Sequence, residues 1–196
     1  RLIGEAVPAA DPWAIWFAGA AGSGRGTCQQ WLLQESGLMD QPGSYVYIDL
    51  DALRKNLPAW RGDEHSPKGE ATLRSTQAEA AYLRDMAIHK CARMRFNFVV
   101  KATMRDADKA ALCFRRCKDL SACRSGRPAA LHELRIAVVL VERGVEDDAN
   151  TTARTCRNTF RALSTSRKFE DLVDLRIHLR NNDTPTFMQG SRAEFE

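Results

Sequence analysis

Between Gly19 and Thr27 the chain reads Gly-Ala-Ala-Gly-Ser-Gly-Arg-Gly-Thr, a run rich in the residue types that bind phosphate. Glycines lack a Cβ, so successive backbone N–H groups can turn toward one oxyanion. The common phosphate-loop pattern is G-x-x-x-x-G-K-[S/T]. Gly19 and Gly24 hold its frame here, Arg25 stands where the lysine belongs, and Gly26-Thr27 follows. Gly19, Gly22, Ser23, Gly24, Arg25, Gly26 and Thr27 are therefore the candidate nucleotide-binding residues. The competing reading is a tight strand-to-helix turn with no ligand. Arginine changes the chemistry: a guanidinium is planar, forked and larger than the compact ammonium of lysine. It binds anions but does not fit the lysine cavity without displacing the phosphates, so binding can survive where turnover does not.

A loop of this kind needs a strand before it and a helix after it, whose positive dipole end faces the same anion. Trp13–Ala18 is an apolar run suited to the strand, and Cys28–Glu35 reads as the helix, closed by Gly37. Further along, strand-like and helix-like stretches alternate, which argues for a parallel sheet covered by helices. Strands are expected at Ser44–Ile48, Phe96–Val100, Ile136–Val141 and Leu175–Leu179, with Thr186–Met188 as an edge candidate after an Asn181–Asp183 turn. Helices are expected at Asp51–Asn56, stopped by Pro58, and at Thr72–Arg95, Asp106–Ala122 and Glu146–Leu163, the last led by Asp147 and Asp148. Arg61–Gly69 and the basic Cys123–Pro128 read as loops. The expectation is an α/β fold: a doubly wound, parallel five-stranded sheet over residues 13–190, with an extension (1–12) and a tail (191–196).

The 196 residues carry 28% charged and 44% hydrophobic side chains and a net charge of +4. That composition is ordinary for a globular protein, and no apolar run approaches the roughly 20 residues of a membrane helix, so no membrane partner is expected. The mild positive charge suits phosphate-bearing ligands, nucleic acid or an organellar matrix; an intracellular setting, cytoplasmic or mitochondrial, is expected. The chain opens on Arg1, which suggests a piece of a longer or processed protein. Six cysteines are present. Cys113, Cys117 and Cys123 with His132 raise the thought of zinc, but no second ligand pair follows at finger spacing. Reduced, partly buried thiols are the expectation, and no metal ligand is assigned.

Downstream motifs carry a resemblance. Tyr47-Ile48-Asp49-Leu50-Asp51-Ala52-Leu53-Arg54-Lys55-Asn56-Leu57-Pro58 resembles the I-D-x-D-x-x-R-x-x-H-P segment of zeta-toxin-like P-loop kinases, and Gly26-Thr27 is the order found in adenylate-kinase-like loops. Asn97–Arg105 resembles their N-x-V-x-[D/E]-G-T-x-R motif, and Asp174–Leu179 their last core strand. Those enzymes phosphorylate a hydroxyl of a small molecule, a UDP-amino-sugar in the best-known members. The resemblance implies that Asp51 is the general base for the acceptor hydroxyl. It further implies that Asp49, Arg54 and Thr103 bind substrate with Arg105, and that Arg105, Arg154 and Arg167 act in catalysis, the last two neutralising the transferring phosphoryl group. ATP or GTP with magnesium would be the cofactor. Asp51 also suits a plain helix N-cap before Ala52, and Arg154 and Arg167 also suit plain surface charges.

Three positions depart from that pattern. Arg25 replaces the loop lysine, Leu57 the histidine before Pro58, and Lys101-Ala102 the acid and glycine at the end of the third strand. Either Lys101 reaches across to supply the missing ammonium, or the site has decayed while the fold serves another purpose. Two function classes follow: a P-loop kinase with weakened or lost catalysis, or an inactive pseudokinase-like assembly subunit of a protein or ribonucleoprotein complex. The basic stretches Arg115–Lys118, Arg124–Arg127 and Arg161–Lys168 would serve RNA contact in the second, though they also suit solvated helix faces.

Overall fold

The computed structural model describes residues 6–35, 44–60, 67–123, 133–144, 150–166, 169, 171–182 and 184–190. Its strands are β1 (Trp13–Ala18), β2 (Val46–Ile48), β3 (Phe98–Ala102), β4 (Arg135–Glu142), β5 (Leu175–Asn181) and β6 (Pro185–Gln189). The helices are α1 (Arg25–Glu35), α2 (Leu50–Lys55), α3 (Pro67–Met94), α4 (Ala107–Cys123) and α5 (Thr151–Thr165). The strands form one sheet in the order β2-β3-β1-β4-β5-β6. The first five are parallel and β6 returns antiparallel to β5. The expected sheet of five parallel strands is thus present, and the Thr186–Met188 edge candidate lies within a sixth strand.

Alternation along β1 shows how the sheet divides its two faces. Ala14, Trp16 and Ala18 join one apolar cluster, which takes Ile88 and Cys91 from α3, Phe114 and Cys117 from α4, and Cys156 and Phe160 from α5. Ile15 and Phe17 join the other, built with Cys28, Leu32 and Leu33 of α1 and with Val139 and Ile177. Helices therefore cover both faces, as the alternation of apolar runs requires. Trp16 meets Phe98 and Phe114 edge-on, with ring centroids 5.5 and 4.7 Å apart.

Helix α1 begins at Arg25 rather than Cys28, and α3 at Pro67 rather than Thr72, so residues 67–69 of the expected loop are helical. Three further boundaries differ from the sequence reading for local reasons. Strand β3 begins at Phe98 because α3 ends in a two-bond turn: Arg95 N–H donates to the Ala92 carbonyl and Phe96 N–H to that of Cys91. Arg95 takes the left-handed conformation there (φ 59°), and its guanidinium donates to the Ala10 carbonyl at 2.7 Å. The last helix begins at Thr151, where Asn150 accepts from the N–H groups of Thr152 and Ala153; Asp147 and Asp148 lie outside the described residues. Asn181, expected in a turn, closes β5 opposite Pro185. Gly37, the 61–66 stretch and Arg124–Arg127 also lie outside the described residues.

Phe114 is fully buried against Trp16. Phe114→Ala is expected to lower unfolding stability by about 3–5 kcal/mol in urea titration, the usual cost of an aromatic-sized cavity.

Candidate phosphate-binding site

The chain leaves β1 through Gly19 at φ 154° and turns again at Gly22 (φ 80°) and Gly24 (φ 82°), all conformations that favour glycine. A Cβ on Gly19 would stand 2.5 Å from the Val141 carbonyl oxygen and 2.7 Å from Ser23 Oγ. The loop is therefore drawn tight against the end of β4. Helix α1 starts at once: Cys28 N–H donates to the Gly24 carbonyl at 2.9 Å. From β5, Asn181 Nδ2 donates to the Ser23 carbonyl at 3.1 Å and fills the space beside Gly24. Ser23 is 1% exposed, and its Oγ has no hydrogen-bond partner among the described residues. A buried hydroxyl without a partner is costly unless something completes it. Thr27 is exposed on the first turn of α1.

Cations and carboxylates surround this loop. Burial pulls the pKa of Arg25 below the usual guanidinium value, against the opposing influence of Cys156, Asp49 and Asp51. Lys101, at the end of β3, places Nζ 3.1 Å from Asp49 Oδ2 and 3.7 Å from where a Cβ on Gly26 would stand. The lysine thus lies against the loop helix. Asp49 serves two partners, because its Oδ1 also accepts from the Asp51 N–H as the N-cap of α2. Burial alone would raise its pKa, but the Lys101 hydrogen bond, the backbone donors and the Lys101 charge outweigh this and hold it below the ordinary carboxylate value. The cap is thus Asp49, which corrects the alternative reading of Asp51 as a mere N-cap. Asp51 lies in the first turn of α2 and is paired with Arg54. Arg54 is 3% exposed and also donates to Gln77 Oε1 of α3 at 2.5 Å. This candidate substrate ligand is enclosed between α2 and α3.

Thr103 and Arg105 line a cavity of about 520 Å³ beyond β3, together with Trp16, Arg84, His89 and Cys113. Met104 between them is left-handed (φ 49°), which sends the chain sharply into α4. The Thr103 carbonyl accepts from Cys156 Sγ at 2.7 Å, so α5 is tied to the same edge. Arg154 is exposed in the first turn of α5, and Arg167 lies outside the described residues. Cys28, Cys91, Cys113, Cys117 and Cys156 are free thiols, while the Cys123 side chain and His132 lie outside the described residues. Of the basic stretches, Arg115 and Arg116 are exposed, whereas Lys118 is turned onto Asp174 and the Asp171 carbonyl.

Sequence reasoning missed Asn181, Cys156 and a trio built on a buried acid at the end of β4. Glu142, the last residue of β4, is 6% exposed and accepts from Arg157 Nε at 2.5 Å, with His178 Nε2 at 2.6 Å from its second oxygen. The available signal was an acid closing the apolar run Ile136–Val141, opposite a strand in which His178 alternates with apolar residues. Burial pushes the Glu142 pKa upward, but hydrogen bonds from His178 and Arg157 and their charges prevail and hold it below the usual range.

A parallel sheet flanked by helices, with a glycine loop between its first strand and first helix, defines a P-loop domain of the kinase type. The zeta toxin family model matches residues 3–132, and the chain belongs to that family. Its structure is similar to one from the PezAT chromosomal toxin–antitoxin system of Streptococcus pneumoniae, with a TM-score of 0.70 at 15% identity over 96% of this chain and 74% of that one. A candidate kinase of Chloroflexus aurantiacus matches at a TM-score of 0.48 and 12% identity, over 85% of each chain. No curated protein sequence matches the chain. No helix among the described residues is long and apolar enough to cross a membrane.

The Glu142 trio makes a pH-dependent prediction. Its carboxyl binds its proton more weakly folded than unfolded, so its stabilisation is present above the ordinary carboxylate range and is lost as pH falls through the lowered folded value. Glu142→Gln should cost about 1–3 kcal/mol near neutral pH, since it leaves two donors poorly matched in a buried setting. Denaturant titrations across acid pH should show the gap between parent and variant closing as pH drops.

Proposed function

We propose that this domain binds the phosphates of ATP or GTP in the Gly19–Thr27 loop, and that its transfer of the γ-phosphoryl group to a small-molecule hydroxyl is weak or lost. The observation that carries the binding half is the buried Ser23 hydroxyl without a partner, set inside a loop of left-handed glycines at a helix start. A phosphate oxygen seated there would accept from that hydroxyl and from the surrounding N–H groups. Arg25, within the loop, and Lys101, against Gly26, supply positive charge there.

The weakness in transfer follows from what surrounds the candidate base. Asp51 would have to take a proton from the acceptor hydroxyl, yet it is bonded to the buried guanidinium of Arg54. An acceptor hydroxyl would have to compete with that guanidinium for the carboxylate oxygen. Asp49, its neighbour, is held by Lys101 and by the α2 N–H groups. The cavity beside Thr103 and Arg105 offers room for an acceptor, and its lining mixes Arg105 and Arg116 with the pairs Arg84–Asp85 and Lys109–Asp106. Without transfer, the same loop makes the domain a nucleotide-responsive binding module.

Calorimetry with ATP and GTP tests the binding half. The parent should bind at least one of them, and Gly24→Val should weaken that by about tenfold or more, equivalent to about 1.4 kcal/mol. The side chain would be strained at φ 82° and would displace the Asn181 amide. A folded parent without affinity up to millimolar nucleotide would leave only a structural turn. For the second half, phosphate transfer from labelled ATP to hydroxyl acceptors should stay at background in parent and in Asp51→Asn. Parent turnover that falls about a hundred- to ten-thousand-fold in Asp51→Asn would instead identify an active kinase with Asp51 as base.

A further inference from the structure

The fold class implies a divalent cation beside the nucleotide phosphates, and the donors at this edge of the sheet can be tested for it. Magnesium in such sites is held through one or two carboxylates together with phosphate oxygens and water. The described carboxylates at the carboxyl edge are each paired, Asp51 through one oxygen. Asp49 takes Lys101 at 3.1 Å and caps α2. Asp51 takes Arg54. Asp106 accepts from the Lys109 N–H at 3.0 Å, with Lys109 Nζ 3.8 Å away. Glu142 holds Arg157 and His178. Among the described residues, no three histidines, cysteines or carboxylates gather as a metal-holding group. Thr27 offers a neutral hydroxyl. Among the described residues, acids already engaged by cations make a poor set for a resident divalent cation.

The position a cation would neutralise is served otherwise. Lys101 Nζ stands 3.7 Å from the Cβ position on Gly26, in the first turn of α1, held there by Asp49. The side chain is one-third exposed, so its ammonium reaches solvent at the loop. Arg25, the first residue of α1, is within the electrostatic reach of the same acids, Asp49 and Asp51. We infer that the Gly19–Thr27 loop is a metal-independent anion site in which the Lys101 ammonium, tethered by Asp49, contacts the terminal phosphates of a nucleoside triphosphate or pyrophosphate. This inference rests on the nucleotide-binding reading above and adds to it the identity of the counter-charge. An ammonium at 3–4 Å neutralises phosphate oxygens directly and donates hydrogen bonds to them. A metal-complexed triphosphate carries less negative charge than the free one, so this site should favour the free anion.

Titration calorimetry of the chain with ATP and with inorganic pyrophosphate, each in EDTA and in excess magnesium, tests it. The expected result is binding in EDTA at least as tight as in magnesium. Lys101→Met, which keeps the apolar stem, should then weaken metal-free binding by about tenfold or more, equivalent to about 1.4 kcal/mol. Lys101→Glu should make what binding remains depend on magnesium; thermal melts of both variants report whether the fold is kept. Parent binding that falls about tenfold or more in EDTA would overturn the metal-independent site while leaving the loop a nucleotide site. So would metal-free binding unchanged in a folded Lys101→Met. Absence of binding by the folded parent in all four conditions would overturn this inference and the nucleotide-binding reading together.

Discussion

The ion pair between Lys101 and Asp49 joins three pieces of chain that lie far apart in sequence. Asp49 follows β2 and caps α2, Lys101 is the penultimate residue of β3, and the lysine head rests against Gly26 at the start of α1. With both side chains about one-third exposed, the pair contributes little to global stability, in the range of about 0–1 kcal/mol typical of partly screened pairs. Its importance is positional. It fixes which oxygen of Asp49 remains for the α2 N–H groups, it sets where the ammonium stands, and it removes Asp49 as a free anion. Neighbouring charges then fall into place: Asp51 turns to Arg54, and Arg25 shares the negative field of both acids.

Much of this could be read from residue types. The central strands are near-continuous apolar runs because both of their faces are buried, so Trp13–Ala18 and Ile136–Val141 stood out without any alternation. The glycine loop was readable because only glycine tolerates three positive-φ turns within six residues. Boundaries were less readable where a non-local contact decides them. Arg95 is an unusual residue for a left-handed helix end, and what holds it there is Ala10 and Ser121, one of them more than eighty residues away. The sixth strand was visible only as an edge candidate, since Pro185–Gln189 is short and half exposed.

Side-chain partnerships were the least readable part. Nothing in the run Leu50–Lys55 reveals that Arg54 is buried or that Gln77 of a later helix completes it. Glu142, Arg157 and His178 are separated by fifteen and thirty-six positions, and only the closure of β4 against β5 and α5 brings them together. Asn181 looked like turn chemistry, yet its amide braces the Ser23 carbonyl. Residue type predicts what a side chain is able to do. The sheet decides which other side chain it does it with, and for charged groups that choice governs whether a carboxylate remains a base.

The loop owes its shape to contacts that involve neither a cation nor the Arg25 side-chain charge. Gly19 is packed against a β4 carbonyl, Gly24 is hemmed by Asn181, and Ser23 is buried beneath them. These are backbone and packing constraints. The charges that accompany phosphate are carried by side chains on the rim, attached to the ends of β2 and β3. Because the two sets of interactions are separable, lysine can occupy the end of β3 while the loop keeps its curvature. The charges on the rim thus form a layer separate from the cradle, set by the pairing of Asp49 with Lys101 and of Asp51 with Arg54.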